Sequence, residues 1–481
     1  MSTYKELLFD RSFVNGEWTN QGTEKFDVKN PFDLSVIGQV HDEDRTFVAK
    51  AIDVAHAAFG SWKSKSAKER SAILLKWFDL IHQHKDELAQ IMTLESGKPI
   101  VESKGEIDYG AAYIQWFAEE AKRNYGDVIP GFTADKRIIT LKEPIGVVGA
   151  ITPWNFPLAM IARKIAPALA VGCTVVVRPS EETPFTALAI NYLANLAGFP
   201  RGVYNTVVGT DPSEMGKELC ENKKVAKISF TGSTKVGKIL MSQSADTLKK
   251  LSLELGGNAP LIVFDDADID LAIKGALAGK FRFGGQTCVC VNRILVQEGI
   301  HDLFVEKFTA VVKKMKLGSG LDTDVNIGPL INQRAIRRME EMTQDAVVKG
   351  GKVLTGGKAV APQFFEPTII VDANESMEFA HNEIFGPIAP IFRFKTEQDA
   401  VRMANDTVYG LASYFFTNDL NRSWRVREQL EYGIVGINEG LISSEVVPFG
   451  GVKESGQGRE GSKYGLDSYV DIKYVCIGGI V

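Results

Sequence analysis

Cys288 has the clearest capacity for chemistry in this chain. It follows a pair of glycines in the segment Phe-Gly-Gly-Gln-Thr-Cys at positions 283–288. A thiolate attacks electrophilic carbon well, although a cysteine with its ordinary pKa near 8.5 is only a few per cent ionised at neutral pH. An isolated cysteine is more often a small buried apolar residue than a nucleophile. The interpretation of Cys288 as a nucleophile therefore depends on partners elsewhere in the chain.

Two other segments offer such partners. Glu254 lies in the apolar run Leu-Glu-Leu-Gly-Gly-Asn at 253–258. Poor solvation raises the pKa of a carboxyl group toward the range of a general base, although a glutamate here could also be ion-paired or cap a helix. Asn155 lies in Pro-Trp-Asn-Phe-Pro at 153–157. Its amide could donate to an oxyanion, whereas asparagine beside proline is otherwise typical of a turn.

These segments belong to a set of five motifs that follow one another along nearly the whole chain. The other members are Ser-Phe-Thr-Gly-Ser at 229–233, the Gly-Gly-Gln-Thr-Cys that ends at Cys288, and Glu-Ile-Phe-Gly-Pro at 383–387. Their order and spacing resemble the aldehyde dehydrogenase superfamily. The resemblance implies that Cys288 is the nucleophile and Glu254 the general base. It also implies an oxyanion hole made by Asn155 and the backbone N–H of Cys288, and an NAD(P) cofactor.

The residue types imply a reaction in two stages. Attack of the thiolate on an aldehyde gives an alkoxide, which Asn155 and a backbone N–H stabilise where the charge develops. Hydride transfer to the nicotinamide leaves a thioester on the cysteine. Water activated by Glu254 then hydrolyses the thioester to a carboxylate.

The pyrophosphate of the cofactor has a candidate site at Gly-Ser-Thr-Lys-Val-Gly-Lys-Ile, residues 232–239. This segment is nearly a P-loop, but Ile239 stands where a hydroxyl must bind magnesium. Because a predicted strand precedes it and a helix begins there, its backbone N–H groups and Ser233 could receive a pyrophosphate. The dinucleotide-like Gly-Gln-Gly-Arg-Glu-Gly at 456–461 has no βαβ unit after it, and we interpret it as a chance match.

The choice between NAD and NADP depends on Arg178 and Glu181. The superfamily usually has lysine at the position of Arg178, and a guanidinium fork would favour a 2′-phosphate. Glu181 would repel that phosphate and accept from a 2′-hydroxyl, so we expect NAD, with NADP also used. The cofactor contacts that the resemblance implies are Thr152, Trp154, Asn155, Arg178, Ser180, Glu181, Gly232, Ser233, Leu255, Glu383 and Phe385.

The substrate class is indicated by residues 280–293 around the nucleophile. These residues, and segments 161–164, 442–445, 448–451 and 458–465, resemble the succinate-semialdehyde dehydrogenases. There Arg163, Arg282 and Ser443 would hold the far carboxylate of the substrate, since charge-assisted hydrogen bonds are about twice as strong as neutral ones. Without the resemblance, either arginine would be interpreted as part of an ordinary ion pair.

Three alternatives stay open from the sequence. One methylene is worth only about 1 to 3 kcal/mol of discrimination, so glutarate semialdehyde or another ω-carboxylated aldehyde is a second candidate substrate. Another interpretation is that the chain is a non-catalytic binding or structural protein of the same fold. Cys290, two residues beyond Cys288, could form a disulfide with it under oxidant or simply pack as a bystander. A switch would make inactivation by peroxide reversible by a thiol reductant.

Composition excludes several other classes. The chain has 481 residues, a formal net charge of −5, 44% hydrophobic and 24% charged residues, which is typical of a globular protein without a basic surface for nucleic acid. No apolar run is long enough to cross a membrane. The first residues resemble neither a signal peptide nor a transit peptide, so we expect a cytoplasmic protein. The five cysteines do not indicate a disulfide framework, and the six histidines lack zinc spacing, so no metal is expected.

The elements that must position these residues follow an α/β pattern. Amphipathic helices are predicted at 45–122, and strand–helix alternation from 146 predicts a parallel, doubly wound sheet of the Rossmann type. A second alternating α/β region covers 260–438, and residues 123–143 and the tail beyond 461 alternate as strands do. With the resemblance, we predict an NAD(P)-binding domain of residues 1–122 and 144–256, a catalytic domain of 257–456, and a small β oligomerisation arm of 123–143 and 457–481. The arm implies a homo-oligomer, either a dimer or a tetramer.

Overall fold

The computed structural model describes residues 4–480. Residues 1–3 and residue 481 lie outside this range. The prediction that the first residues resemble neither a signal peptide nor a transit peptide falls in part on residues 1–3. The helices are α1 (Arg45–Lys63), α2 (Ala67–Gln83), α3 (Lys85–Ser96), α4 (Ile100–Glu120), α5 (Ala159–Val171), α6 (Pro184–Ala197), α7 (Pro212–Glu221), α8 (Thr234–Ser244), α9 (Ile269–Phe281), α10 (His301–Val312), α11 (Gln333–Val348), α12 (Glu378–His381), α13 (Glu397–Asn405) and α14 (Leu420–Gln429).

The strands form sheets of different size. They are β1 (Ser12–Val14), β2 (Glu17–Thr19), β3 (Lys25–Lys29), β4 (Val36–His41), β5 (Val128–Ile129), β6 (Arg137–Pro144), β7 (Val147–Ile151), β8 (Thr174–Arg178), β9 (Tyr204–Thr206), β10 (Val225–Thr231), β11 (Lys250–Glu254), β12 (Ala259–Val263), β13 (Val291–Gln297), β14 (Lys352–Thr355), β15 (Ala359–Ala361), β16 (Phe364–Phe365), β17 (Thr368–Ala373), β18 (Ile388–Phe394), β19 (Ala412–Phe416), β20 (Ile434–Ile437), β21 (Gly456–Gln457) and β22 (Val470–Ile477).

The first large sheet has the order β2-β1-β9-β8-β7-β10-β11-β21, and its central strands β9, β8, β7, β10 and β11 run parallel. Every residue of β7 and β8 is buried, because helices cover both faces of the sheet. Their near-continuous apolar sequences are the reason that the alternation from residue 146 predicted them. The four helices between Arg45 and Glu120 likewise confirm the predicted helical region.

The second large sheet has the order β14-β17-β18-β13-β12-β19-β20 and is parallel except for β14. The predicted α/β class, with a doubly wound first sheet and a second α/β region, is therefore confirmed. Short strand β21 straddles the predicted boundary at residue 456 and pairs with β11 of the first sheet. The exact domain boundaries stay a prediction.

The predicted arm contains a three-stranded antiparallel sheet. Strand β22 pairs along its whole length with β6, from Val470 opposite Pro144 to Ile477 opposite Arg137, and β5 pairs with the other edge of β6. Ile472 and Tyr474 on β22 are exposed. A second copy that covers the arm remains a prediction. None of the helices among residues 4–480 is both long and apolar enough to cross a membrane.

Helices α4 and α5 approach each other at Gly110. A side chain at this position would place its Cβ 2.2 Å from Leu158 Cδ2 and 3.0 Å from the Cα of Ala159. The glycine is required here by close packing, not by an unusual backbone angle. Because α5 begins four residues after Asn155, this contact also helps to locate the candidate site.

We predict that Gly110→Ala lowers the melting temperature, because overpacking costs about 1–3 kcal/mol and exceeds the gain of alanine over glycine in a helix. Gly105 provides the matched control, since it lies in the same helix and a Cβ there meets nothing within 4 Å. Gly105→Ala should leave the protein slightly more stable. Calorimetry that finds Gly110→Ala as stable as Gly105→Ala would contradict the packing argument.

Candidate active site

Cys288 lies in the loop between α9 and β13, at the carboxyl edge of the first sheet. The loop begins with a tight turn in which Phe283, Gly284 and Gly285 all have positive φ, between 49° and 78°. A Cβ at Gly285 would lie 2.2 Å from the carbonyl oxygen of Gly386, so only glycine fits there. The thiol itself is half-buried. The glycines before Cys288 therefore serve to bring the loop close to the 383–387 motif.

The surroundings of Cys288 favour the neutral thiol. Burial raises its pKa to about 12, and the charge of Arg163 partly opposes this, whereas Glu383 and Glu254 reinforce it. A nearby base must therefore remove the proton before the sulfur can attack a carbonyl.

Glu254 is the last residue of β11 and is 2% exposed. Strand register places it opposite Thr231, the last residue of β10. Neither of its carboxylate oxygens has a hydrogen-bond partner among the described residues. Burial raises its pKa well above the ordinary value, the charge of Glu460 raises it further, and Arg163 opposes both. This carboxyl group is buried without a hydrogen-bond partner among the described residues, and its raised pKa makes its carboxylate a stronger base than that of an exposed glutamate.

Asn155 follows β7 and is 5% exposed. Its Nδ2 donates to the carbonyl oxygen of Gln286 at 3.0 Å, and its Oδ1 has no partner among residues 4–480. A side-chain amide has two N–H donors, so one remains after the bond to Gln286. Asn155 can therefore donate to an oxygen near Cys288 while its orientation is held.

A cavity of about 340 Å³ joins Cys288 and Asn155 to several of the predicted cofactor residues, whereas Glu254 does not line it although the next residue, Leu255, does. Buried hydroxyls of Thr231 and Thr152 nearby have no partner within the described range, as expected beside a polar ligand. The residues that line the cavity include Trp154, Asn155, Gly232, Ser233, Leu255, Cys288, Glu383 and Phe385.

The walls of this cavity carry groups that suit a dinucleotide. Ser233 is the N-cap of α8, and its Oγ accepts from the N–H of Val236 at 3.3 Å. The helix N-terminus thus faces the cavity with unpaired backbone N–H groups, which favour phosphate. Glu383 Oε1 accepts from the N–H of Gly257 at 3.0 Å, and burial raises the pKa of Glu383 to about 7.

Two arginines of this cavity were missed by the sequence analysis. Arg334 and Arg338 lie in the first turns of α11 and line the cavity. Arg338 Nη2 donates to the carbonyl oxygen of Glu383 at 2.5 Å. Their sequence, Gln-Arg-Ala-Ile-Arg-Arg, reads as an ordinary exposed helix face, and no local signal distinguishes them.

The predicted adenosine contacts lie outside the 340 Å³ cavity. Arg178 ends β8, and its Nη2 forms an ion pair of 2.7 Å with Glu181 Oε2 and donates to the carbonyl oxygen of Gly209. Ser180 is buried, and its Oγ accepts from the N–H of Glu182. Thr152 is tied to this edge because its N–H donates to the carbonyl of Arg178. These contacts engage Nη2 of the guanidinium, whereas the buried Nε of Arg178 has no partner among the described residues.

A second cavity, of about 270 Å³, contains two of the three predicted substrate residues, Arg282 and Ser443. Phe156, beside Asn155, also lines it, and the guanidinium carbon of Arg282 lies 5.0 Å from the centroid of its ring. Among the described residues Arg282 has no carboxylate within 4.0 Å. A free cation therefore faces a cavity next to the candidate oxyanion donor.

The third predicted substrate residue, Arg163, is placed differently. Its Nη2 lies 2.8 Å from Glu460 Oε2, and its guanidinium carbon lies 4.0 Å from the ring centroid of Phe449. It does not belong to the described residues that line the 270 Å³ cavity, although its Nη1 is 3.5 Å from the hydroxyl of Tyr109, which does. Its role in holding substrate stays a prediction.

The second cavity also has acidic walls that the sequence did not indicate. Glu102 Oε2 accepts from the N–H of Phe283 at 2.7 Å, and burial raises the pKa of Glu102 to about 7, against the charges of Lys98 and Arg282. Glu106 lines the same cavity and pairs with Lys98. The raised pKa of Glu102 favours its neutral form, and the ammonium of Lys98 offsets the charge of Glu106. The two acids therefore weaken the attraction of Arg282 for a substrate carboxylate only in part.

Cys290 is buried behind this loop. Its Sγ lies 3.3 Å from the Nζ of Lys280, which is itself fully buried. All five cysteines are free thiols. The predicted disulfide between Cys288 and Cys290 therefore stays a prediction. Groups of three or more potential metal ligands are absent from residues 4–480.

Comparison with known proteins agrees with this geometry. Residues 18–475 match the model of the aldehyde dehydrogenase family. The chain is 56% identical to a mitochondrial succinate-semialdehyde dehydrogenase of Arabidopsis thaliana over 98% of this chain and 90% of that one. It is 55% identical to the NADP(+) succinate-semialdehyde dehydrogenase GabD of Escherichia coli, with 98% of both chains covered. It is 54% identical to a glutarate-semialdehyde dehydrogenase of Pseudomonas putida, again over 98% of both.

A solved structure leads to the same family. The crystal structure of a succinate-semialdehyde dehydrogenase from Burkholderia pseudomallei matches with a TM-score of 0.97 and 54% identity over 98% of each chain. The fold and the order of the five motifs agree with both comparisons: the chain is an enzyme of the aldehyde dehydrogenase family.

Proposed function

We propose that this enzyme oxidises succinate semialdehyde to succinate through a thiohemiacetal and a thioester on Cys288. The observation that carries the proposal is the free guanidinium of Arg282 beside Ser443 in the 270 Å³ cavity. Phe156 lines this cavity and follows Asn155, which lines the 340 Å³ cavity together with Cys288, so the two cavities meet at the segment that carries the candidate oxyanion donor. Relatives named for succinate and glutarate semialdehydes support an aldehyde with a distant carboxylate.

The first stage needs a base and an oxyanion donor. Glu254 has the raised pKa that suits removal of a thiol proton, since base strength increases with pKa. As the sulfur bonds to the carbonyl carbon, negative charge moves to the oxygen. The free N–H of Asn155 and the backbone N–H of Cys288 would stabilise that charge, each by roughly 3 kcal/mol.

The cofactor is NAD or NADP, and it would lie in the 340 Å³ cavity. When bound, the nicotinamide dinucleotide accepts two electrons and a hydrogen from the substrate carbon. The N-terminus of α8 with Ser233 would hold the pyrophosphate, and Glu383 the nicotinamide ribose. Because the carboxylate of Glu181 pairs with Arg178 and would repel a 2′-phosphate, we favour NAD, although the E. coli relative is named for NADP(+).

The second stage returns the thiol. After Glu254 has released the first proton to solvent, it takes a proton from water, which attacks the thioester carbon. The C–S bond then breaks, which releases the acid as its carboxylate with loss of its proton to solvent, and Glu254 gives the proton taken from water to the sulfur of Cys288. We also propose that the enzyme is cytoplasmic and forms a homo-oligomer of two or four chains. The exposed apolar residues of the arm support the oligomer.

Glutarate semialdehyde is the second candidate substrate, because the Pseudomonas putida relative is named for it. The decisive assay measures kcat/KM for the two semialdehydes and for butanal, which has the four carbons of succinate semialdehyde but no charge. We predict that Arg282→Gln lowers kcat/KM for the carboxylated aldehydes about 10- to 100-fold, the value of one charge-assisted hydrogen bond, and leaves butanal nearly unchanged. Equal losses on charged and uncharged substrates would exclude Arg282 from carboxylate binding.

Glu254→Gln should stop the second stage more than the first. We expect one equivalent of reduced cofactor to form in a burst, followed by a steady state at least 100-fold slower than in the wild type, with an acyl adduct on Cys288 in the mass spectrum. Because the pKa of Glu254 is raised, its base form increases with pH, so wild-type deacylation should accelerate from neutral to alkaline pH. The variant should lose this acceleration, whereas Glu340→Gln on the exposed face of α11 should keep it. Undiminished turnover of Glu254→Gln would contradict the assignment.

Cofactor preference should respond to Glu181. We predict that Glu181→Gln raises kcat/KM with NADP relative to NAD by about tenfold, because it frees the guanidinium of Arg178 and removes a charge that repels phosphate. Glu17→Gln is the control, because Glu17 in β2 pairs with Arg201 and both side chains are exposed. A wild-type enzyme that already prefers NADP a hundredfold would show that Glu181 does not face the ribose.

A further inference from the structure

Lys98 and Glu106 form an ion pair in which both side chains are completely buried. Lys98 lies in the turn between α3 and α4, and Glu106 in the second turn of α4. Neither residue belongs to the five motifs, and the mechanism above uses neither. A buried ion pair is usually no more stabilising than an apolar pair of the same size, so its presence here calls for a reason other than stability.

The carboxylate of Glu106 binds the beginning of α5. Its Oε1 accepts from the N–H of Leu158 at 3.0 Å and from the N–H of Ala159 at 3.2 Å. Its Oε2 accepts a hydrogen bond from the ammonium group of Lys98. A negative group at a helix N-terminus satisfies free N–H donors and is favoured by the helix dipole. Glu106 thus fixes the position at which α5 starts, four residues beyond Asn155.

The ammonium of Lys98 binds the other end of the same short segment. Its Nζ donates to the main-chain carbonyl oxygen of Asn155 at 2.8 Å. It also lies 3.8 Å from the ring centroid of Phe156 and 4.6 Å from that of Phe283. Phe283 belongs to the turn before Cys288, so Lys98 contacts both the segment that carries the amide and the loop that carries the thiol.

We propose that Lys98 and Glu106 are positioning residues that hold Asn155 in the orientation required to donate to the oxyanion. This inference rests on the proposed role of Asn155. Lys98 holds the main chain of Asn155, Glu106 holds the following helix, and the carbonyl of Gln286 holds the side-chain nitrogen. With these three points fixed, the remaining N–H of the amide has one direction, and no reorganisation is needed as charge develops.

The test is a double-mutant cycle on the first stage of the reaction, measured as the single-turnover rate of reduced cofactor formation. The variants are Asn155→Ala, the neutral pair Lys98→Met/Glu106→Gln, and the combination of all three. We expect Asn155→Ala to lower the rate about 100-fold and the neutral pair to lower it 10- to 100-fold, with KM for the cofactor unchanged. In the combined variant the neutral pair should cause no further loss, because its effect passes through Asn155.

Two controls separate positioning from general damage. The rate at which iodoacetamide alkylates Cys288 should be unchanged in the neutral pair, since alkylation creates no oxyanion. The second control is Lys249→Met. Lys249 also donates to main-chain carbonyls, those of Asn222 and Val225, but it lies at the end of β11 opposite to Glu254. Its replacement should lower the melting temperature without changing the single-turnover rate. Lys98→Arg, which keeps the charge with a different reach, enters the same cycle if the neutral pair does not fold.

The outcomes distinguish the two claims. If Asn155→Ala reacts as fast as the wild type, the proposed oxyanion role is wrong. If Asn155→Ala is slow but the neutral pair is fast, or if the losses multiply in the combined variant, the oxyanion role stands and Lys98 and Glu106 do not position Asn155.

Discussion

The hydrogen bond from Asn155 to the carbonyl of Gln286 is the contact on which the site depends. Asn155 follows β7 of the first sheet, whereas Gln286 belongs to the loop that leads into β13 of the second. The candidate oxyanion donor and the candidate nucleophile thus come from two separate sheets. Because a misplacement of about 1 Å can cost a hundredfold in rate, the proposed mechanism depends on this direct bond between the two segments, and the close packing at Gly110 and Gly285 allows it.

Desolvation is the second constraint. The thiol of Cys288 and the carboxyl groups of Glu254 and Glu383 all have raised pKa values, and burial is the largest cause for each. Among the described residues, Glu254 lacks the partner that would offset this cost, whereas nearby Glu460 is paired with Arg163 and Lys164. The unfavourable burial therefore falls on Glu254, the proposed base, whereas the charge of Glu460 beside it is paired.

The ease of prediction differed between elements for physical reasons. Strands β7 and β8 were predicted closely because strands buried on both faces are apolar throughout. Strand β9 belongs to the same alternating region but is only three residues long, since local apolar character does not determine where strand pairing ends. Arg334, Arg338, Lys98 and Glu106 escaped prediction because their significance comes from partners far along the chain, as with Lys98 and Asn155, which are 57 residues apart.

The sequence by itself determined the family, the order of its five motifs and the α/β pattern, because short motifs with a fixed local geometry carry that information. Only the tertiary structure decided which of the two candidate arginines is free. Arg163 pairs with Glu460, almost 300 residues later in the chain, whereas Arg282 faces a cavity beside Ser443. Charge pairing depends on which side chains share one buried volume, and residue types along a chain do not specify that before the chain has folded.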